Sequence, residues 1–374
     1  MKRKTIVAAL FYIIILSLYA QSVPDTLWTA SWDGGNHDQA YSVQQTSDGG
    51  YILVGRSNAS NDQPAYYAWL IKTDANGVME WDMTYGDTYI DEAYVVKETS
   101  DGGFIIGGMS TAYGWAGEGW LIRTDSNGNI IWDNGFHAEG STTADWDYIF
   151  DVIETDDGGF IACGYCGMSG YSYLGWVLKV DSQGDIVWNN TFGTQYWDRF
   201  YSIANADDGG YYLAGYTHVE YNGVIKNDGW LMKVDAVGDS LWSQSYGYPD
   251  HDMFRDMTVT DDGYIYLAGE TELDGNSGYN AWLVKTDLTG ELIWEQTYGS
   301  GAFEAIAQTT EGNLVMAGMR NYPETQYDGR IMKADPDGNV IWDHIQTGSN
   351  LDDMFHDIEQ TDDGGYICAG RYNW

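Results

Sequence analysis

The stretch "QQTSDGGYILVG", residues 44–55, holds the end of one β-prone run, a turn at Asp48-Gly49-Gly50 and the start of a second run. The same turn returns as Asp101-Gly102-Gly103, Asp157-Gly158-Gly159, Asp208-Gly209-Gly210 and Asp363-Gly364-Gly365. Two weaker copies, "DDGYIYLAG" around Asp262 and "TEGNLVMAG" around Glu311, fill the gaps and bring the count to seven. Successive copies stand 53, 56, 51, 54, 49 and 52 residues apart, the signature of an internal structural repeat.

A chain of 374 residues is long enough for two average domains, yet the repeat crosses it without a Pro-rich, Ser-rich or single-charge linker. One repeat domain over residues 21–374 is therefore expected. Residues 1–20 differ in kind. Lys2-Arg3-Lys4 precede an apolar run from Ile6 to Tyr19, shorter than a spanning helix needs, and Ala20 offers a small residue for cleavage. This reads as a secretory signal peptide, so the mature chain is expected to be secreted, free of the membrane and monomeric.

The formal net charge of −39 is spread along the chain, and phosphate binding needs clustered Lys and Arg. Nucleic acid and anionic membranes are thereby excluded as natural partners, whereas cations and neutral hydroxyl-rich ligands stay open. Of the three cysteines, Cys163 and Cys166 lack a His partner at metal-ligand spacing, and Cys163 shares its register with Val54, Gly107, Ala214, Ala268, Ala317 and Ala369. A small buried residue is the simpler reading of it.

One unit, "DEAYVVKETSDGGFIIGGMS" followed by a loop and "GWLIRTDSNGNIIWDNGF", contains four short β-prone runs and no helical period. They are predicted as strands A (Ala93 to Thr99), B (Phe104 to Ser110), C (Trp120 to Thr124) and D (Asn129 to Phe136). The Asp-Gly pair between A and B predicts a two-residue type I′ hairpin. The link between C and D, "TDANG" at 73–77 and its relatives, predicts a tight turn closed by a left-handed glycine. "DPDGN", residues 335–339, is the same turn and lacks the later acids of a calcium loop.

Trp opens strand C at 69, 120, 176, 230 and 282, with Arg330 in the sixth copy, and Trp recurs in strand D at 28, 81, 132, 188, 242, 294 and 342. Burying one such ring is worth about 4–6 kcal/mol as an upper bound, so the strand D set is expected to wedge neighbouring sheets apart. Lys72, Arg123, Lys179, Lys233, Lys285 and Lys333 recur in the middle of strand C. A repeated ion pair is expected for them, with the Asp two positions on or with an acid of an adjacent strand.

Helix-free units of four antiparallel strands, repeated about every 52 residues, predict an all-β fold, a seven-bladed β-propeller of four-stranded blades. "DTLWTASW", residues 25–32, is a D strand without its A, B and C, while the C-terminus supplies only "MFHDIEQT" and "GYICAGRY". The N-terminal strand is therefore expected to close the last blade. That blade then lacks strand C, so either it has three strands or the chain is cut short. The resemblance of "RYNW" to "YNAWLVKTD" favours the second.

The units "DEAYVVKETSDGGFIIGGMST" and "DQAYSVQQTSDGGYILVGRS" resemble the seven-bladed β-propeller repeats of bacterial exported proteins, over nearly all of residues 25–374. "KTDANGVMEW" is similar, one residue shorter between Asp and Gly, to the tryptophan-docking segment of quinoprotein-type propellers. The resemblance implies the fold and export and leaves the activity open.

The constant links, A to B and C to D, fall on one rim, and the links that vary fall on the other, which is the default binding surface of a rigid scaffold. The candidate ligand-binding residues there are Tyr66, Tyr113, Trp115, Trp146, Tyr171, Trp197, Tyr248 and Tyr279, amphipathic rings that suit a glycan or protein ligand. A second set stands where strand A begins: Asp38, Asp91, Asp147, Asp198, Asp252 and Asp353. Around a channel mouth these acids would attract a cation such as Ca2+, or each would cap backbone amides at its own loop. No G-x-S-x-G, H-E-x-x-H or phosphate loop is present, so a non-catalytic binding module or scaffold is expected. The alternative is a propeller enzyme, either a carboxylate glycosidase or a quinoprotein-like dehydrogenase.

Overall fold

The computed structural model describes residues 23–32, 38–58, 66–86, 89–113, 116–141, 145–168, 172–248, 250–273, 278–321, 327–346 and 353–371. The signal-like residues 1–20 lie outside them. Among the described residues all regular structure is β-strand. Blade 1 comprises β1 (Gln39–Gln45), β2 (Tyr51–Ser57), β3 (Tyr67–Thr73) and β4 (Met79–Tyr85). Blade 2 comprises β5 (Asp91–Glu98), β6 (Phe104–Ser110), β7 (Glu118–Thr124) and β8 (Ile130–Phe136). Blade 3 comprises β9 (Asp147–Glu154), β10 (Phe160–Met168), β11 (Ser172–Val180) and β12 (Ile186–Phe192). Blade 4 comprises β13 (Arg199–Asn205), β14 (Tyr211–Tyr221), β15 (Val224–Val234) and β16 (Ser240–Tyr246). Blade 5 comprises β17 (Asp252–Val259), β18 (Tyr264–Glu272), β19 (Tyr279–Asp287) and β20 (Leu292–Ser300). Blade 6 comprises β21 (Ala302–Gln308), β22 (Leu314–Asn321), β23 (Tyr327–Ala334) and β24 (Val340–Gln346). A two-stranded sheet follows, β25 (Met354–Gln360) and β26 (Tyr366–Arg371).

Within each blade the four strands pair in sequence order, all antiparallel. The first strands touch one another in succession, β1 to β5 to β9 to β13 to β17 to β21 to β25, and β25 touches β1, so they line the centre of a closed ring. Middle strands are covered on both faces by neighbouring blades. Hence β6 and β7 are buried at every residue, whereas the outermost β16 is mostly exposed.

Two expectations are corrected. Among the described residues the count of four-stranded blades is six, not seven: the last unit forms only β25 and β26. Residues 23–32 form no strand. A D strand pairs with strand C, and among the described residues none stands between the N-terminal segment and β26 to offer it a ladder. Trp28 nevertheless sits as the other strand D tryptophans do. Its ring lies 5.6 Å from that of Tyr51, and a Cβ at Gly77 would come within 2.6 Å of it, as one at Gly128 would within 2.9 Å of Trp81.

The ring closes instead through side chains. The Val43 N–H donates to Asp357 at 2.9 Å, and the Gln45 N–H donates to Glu359 at 2.7 Å. The same device joins other blades, Ile203 N–H to Asp151 and Ile306 N–H to Asp256, each at 2.9 Å. The closing joint is thus an ordinary joint of the repeat.

The A to B turn also differs from its expected type. Thr46 and Gly50 bracket a three-residue loop in which Gly49 has φ 83°, while Asp48 keeps a negative φ. Asp48 is held there because its carboxylate accepts from Gly50 N–H at 2.9 Å and Thr46 Oγ1 at 2.6 Å. A type I′ turn needs both central residues at positive φ, and it occurs between β14 and β15, at Asn222 (φ 52°) and Gly223 (φ 82°).

The recurring strand C cations pair with the acid of this turn in their own blade: Lys72 with Asp48 at 3.0 Å, Lys179 with Asp157 at 2.8 Å, Lys233 with Asp208 at 2.6 Å and Lys333 with Glu311 at 3.3 Å. Arg123 pairs with Asp101 in the same way, and Lys285 lies 3.9 Å from the centre of the Tyr264 ring. The partner is the acid of the A to B turn, not the Asp two positions on.

Candidate functional site: the channel bowl and the variable rim

Every innermost strand carries one β-bulge, and in all seven the residue left out of the ladder holds the same register: Tyr41, Tyr94, Phe150, Tyr201, Arg255, Glu304 and His356. A bulged residue is unpaired and its side chain is re-aimed. These meet their neighbours around the channel. Ring centres of Tyr41 and Tyr94 are 5.1 Å apart, those of Tyr94 and Phe150 5.3 Å, and those of Phe150 and Tyr201 5.0 Å. The Arg255 guanidinium continues the series 5.1 Å from Tyr201 and reaches Glu304 at 3.9 Å, while His356 lies 5.3 Å from Tyr41. Burial holds the His356 imidazole down at about 4, so it is neutral at pH 7, and Gln39 donates to its Nε2 at 2.6 Å.

This belt marks the variable-rim end of the channel, the channel bowl. Arginines and tyrosines of the first three strands stand around it. Arg56 pairs with Glu92 at 2.6 Å and lies over Tyr66 at 4.7 Å, and Arg255 pairs with Glu270 at 3.0 Å. Arg199 stands 4.2 Å over Tyr165, with Tyr173 and Tyr216 at 5.6 and 5.9 Å. From there an aromatic face runs outward over blades 3 and 4. Tyr165 stacks on Tyr148 at 4.8 Å, Tyr148 on Trp146 at 6.2 Å, and Tyr173 leads to Trp197 at 6.4 Å, whose side is 52% exposed.

Trp146 and Trp197 of the expected ligand set therefore share one surface. The others do not join it. Tyr66 and Tyr279 latch strand C to the next blade through their backbones: Tyr66 N–H donates to the Tyr89 carbonyl and its own carbonyl accepts from Asp91 N–H, both at 2.9 Å. The Tyr279 carbonyl accepts from Gly301 N–H at 2.9 Å. Tyr113 donates to Asp133 at 2.5 Å, and Tyr248 donates to Glu295 at 3.1 Å. Trp115 and Tyr171 lie outside the described residues.

The strand A acids are not brought together. Asp91, Asp147, Asp198, Asp252 and Asp353 are buried, each in its own blade, and Asp38 is half-buried. Asp198 accepts from Thr217 Oγ1 at 2.6 Å, His218 N–H at 3.0 Å and Thr194 N–H at 2.6 Å. Asp91 accepts from Ser110 Oγ at 2.5 Å and Thr111 N–H at 3.2 Å, and Asp147 from Gly167 N–H at 2.9 Å. Asp252 accepts from Tyr248 N–H at 2.6 Å, and also from Thr271 Oγ1. Burial pushes the Asp147 and Asp252 carboxyls up to about 8 and about 7. Among the described residues no three His, Cys, Asp or Glu side chains converge to hold a metal.

The bowl escaped the sequence reading because its belt changes type around the ring, Tyr in three copies and Phe, Arg, Glu and His in the other four. The one available signal was a large polar or aromatic residue three positions after each strand A acid, where apolar residues surround it.

These features define a β-propeller, and comparison with solved structures agrees. The chain is similar to the WD40 β-propeller domain of Doa1 (11% identity, 90% of each chain, TM-score 0.54). It is also similar to the Dos1 propeller (12% identity, 91% of this chain and 94% of that one, TM-score 0.54). The periplasmic gluconolactonase PpgL of Pseudomonas aeruginosa is a third such structure (11% identity, 81% and 83%, TM-score 0.51). No protein-family model and no curated protein matches the chain.

Proposed function

We propose that this chain is an exported, non-catalytic binding propeller whose ligand, a glycan or a protein, is received on the variable rim. The observation that carries this reading is the aromatic face from Trp146 through Tyr148 and Tyr165 to Trp197, which joins the channel bowl to the outer loops of blades 3 and 4. Tyrosine and tryptophan give large contact area at low entropic cost; here Tyr148, Tyr165 and Tyr173 stand on strands, and Trp146 and Trp197 stand in the links that lead into β9 and β13. The signal-like residues 1–20 support export, and the paired sheet β25–β26 is read as the seventh blade of the ring. Screening the mature chain on a glycan array, with and without calcium, and against exported proteins tests it. Binding that Trp197→Ala weakens is the expected result. No ligand in any format, or binding that maps to the constant rim, overturns it.

A further inference from the structure

The basic residues are scarce and fall into distinct groups. Removing Lys2, Arg3 and Lys4 leaves 14 of the 17, and six of these are the strand C cations at the other rim. Arg56, Arg199 and Arg255 stand in the bowl, and each has a buried Nε without an acceptor. Arg56 and Arg255 are balanced by Glu92 and by Glu270 with Glu304. Arg199 is not balanced. Among the described residues no carboxylate lies within ion-pair distance of it, and the adjacent Asp198 already accepts from Thr217, His218 and Thr194. A chain of net charge −39 thus keeps a half-buried guanidinium, framed by tyrosine rings, without a carboxylate in ion-pair distance; Arg371 on β26, near Tyr41 and His356, is a second such arginine.

We propose that the channel bowl binds an acidic saccharide, a uronate, with Arg199 holding its carboxylate. This rests on the binding reading above and names the ligand class for it. The guanidinium fork matches a carboxylate in two hydrogen bonds, and a charged partner makes each of them stronger. Tyr165, Tyr173 and Tyr216 frame the guanidinium, the half-buried Tyr201 offers a ring and a hydroxyl to a sugar, and Glu270, paired with Arg255 beside Tyr201, is a partner for its hydroxyls. Of the two arginines without a carboxylate, Arg199 is the one framed by three tyrosine rings. The acidic surface repels ligands that carry many negative charges, which favours a uronate over an acidic peptide.

Calorimetric titration of the mature chain with glucuronate, and with glucose as the neutral control, tests the proposal. Glucuronate is expected to bind at least about tenfold more tightly than glucose, the scale of one charge-assisted hydrogen bond. Arg199→Met is expected to remove that preference, Arg199→Lys to keep part of it, and Tyr89→Ser, at an exposed site on the same rim, to leave it unchanged. If Arg199→Met fails to fold, Arg199→Lys and the wild-type preference decide. Equal affinity for glucuronate and glucose, or full preference retained in Arg199→Lys and Arg199→Met, overturns the proposal. So does an acidic hexapeptide that binds more tightly than glucuronate and depends on Arg199. A neutral glycan or a protein that binds the rim regardless of Arg199 also overturns it while leaving the binding reading intact.

Discussion

The two rims of this propeller use the same kinds of residue in opposite ways. On the constant rim an exposed aspartate in each turn meets a buried cation from strand C, as Asp157 (64% exposed side chain) meets Lys179 (5%). On the variable rim the aspartate is the buried member, Asp252 being fully covered, and its partners are neutral hydroxyl and amide donors. Charge on the first rim is neutralised by a local pair, and repetition follows because the fold repeats. On the second rim and in the bowl behind it each blade departs from its neighbours, and there the chain keeps an unbalanced arginine. The difference teaches that the recurring residues here build the scaffold, and that function is to be sought where the repeat is broken.

Both rims hang on the joints between blades, so the largest effect is expected there. Phe254 is fully buried, its ring 4.8 Å from Trp282 and packed against Gly229, where a Cβ would lie 2.7 Å from the Phe254 ring. Phe254→Ala is expected to cost about 3–5 kcal/mol in urea denaturation, and Gly229→Val about 1–3 kcal/mol by overpacking. A loss under about 1 kcal/mol for both would mean that the blades are not held by this stacking.

Next in size is the constant rim. Asp101 accepts from Thr99 Oγ1 and Gly103 N–H and pairs with Arg123, so Asp101→Ala leaves a buried guanidinium without its carboxylate. The expected loss is about 1–3 kcal/mol, whereas Trp197→Ala on the variable rim is expected to change stability by no more than about 0.5 kcal/mol. Equal losses at the two positions would erase the distinction between framework and recognition surface.

The rims are also expected to titrate in opposite senses. Lys179, with Thr155, holds the Asp157 carboxyl down at about 2, so its contribution is present above the unfolded value near 4 and is lost as pH falls through about 2. Burial raises Asp252 to about 7 and Asp147 to about 8. Their contribution is present below about pH 4 and is lost as pH rises through 7 to 8. Melting temperature is therefore expected to peak between these limits, with Asp252→Asn flattening the alkaline limb and Asp157→Asn the acid limb. Unchanged limbs in both variants would sharpen the comparison against these groups.

Much of the fold was legible because regular features leave regular spacing. Strand B of the second unit, Phe104–Ser110, coincides with β6, and the strands predicted as A, C and D differ from β5, β7 and β8 by one or two residues at their ends. Gly49 at positive φ was legible as a turn glycine, but the loop is one residue longer than Asp-Gly alone implied, because the Asp48 side chain ties its own turn. The candidate site was legible only in part. Trp146 and Trp197, expected as ligand-binding aromatics, are joined by one series of ring contacts, while Tyr66 and Tyr279, expected alongside them, latch strand C to the next blade through their backbones. An aromatic residue in a loop carries no mark of which of these it will be.

By itself the sequence determined the repeat, the four-strand unit, the framework tryptophans and the abundance of acids, since hydrophobic period and turn chemistry act over a few residues. Only the tertiary structure decided how the ring closes, through Asp357 and Glu359 of β25 accepting from the backbone of β1, and which seven side chains meet in the channel. A β-bulge re-aims a residue by its place in a ladder, and neighbours in the belt stand some 50 residues apart in the chain. Their meeting, and the isolation of Arg199 among tyrosines, follow from blades packed side by side and from nothing local.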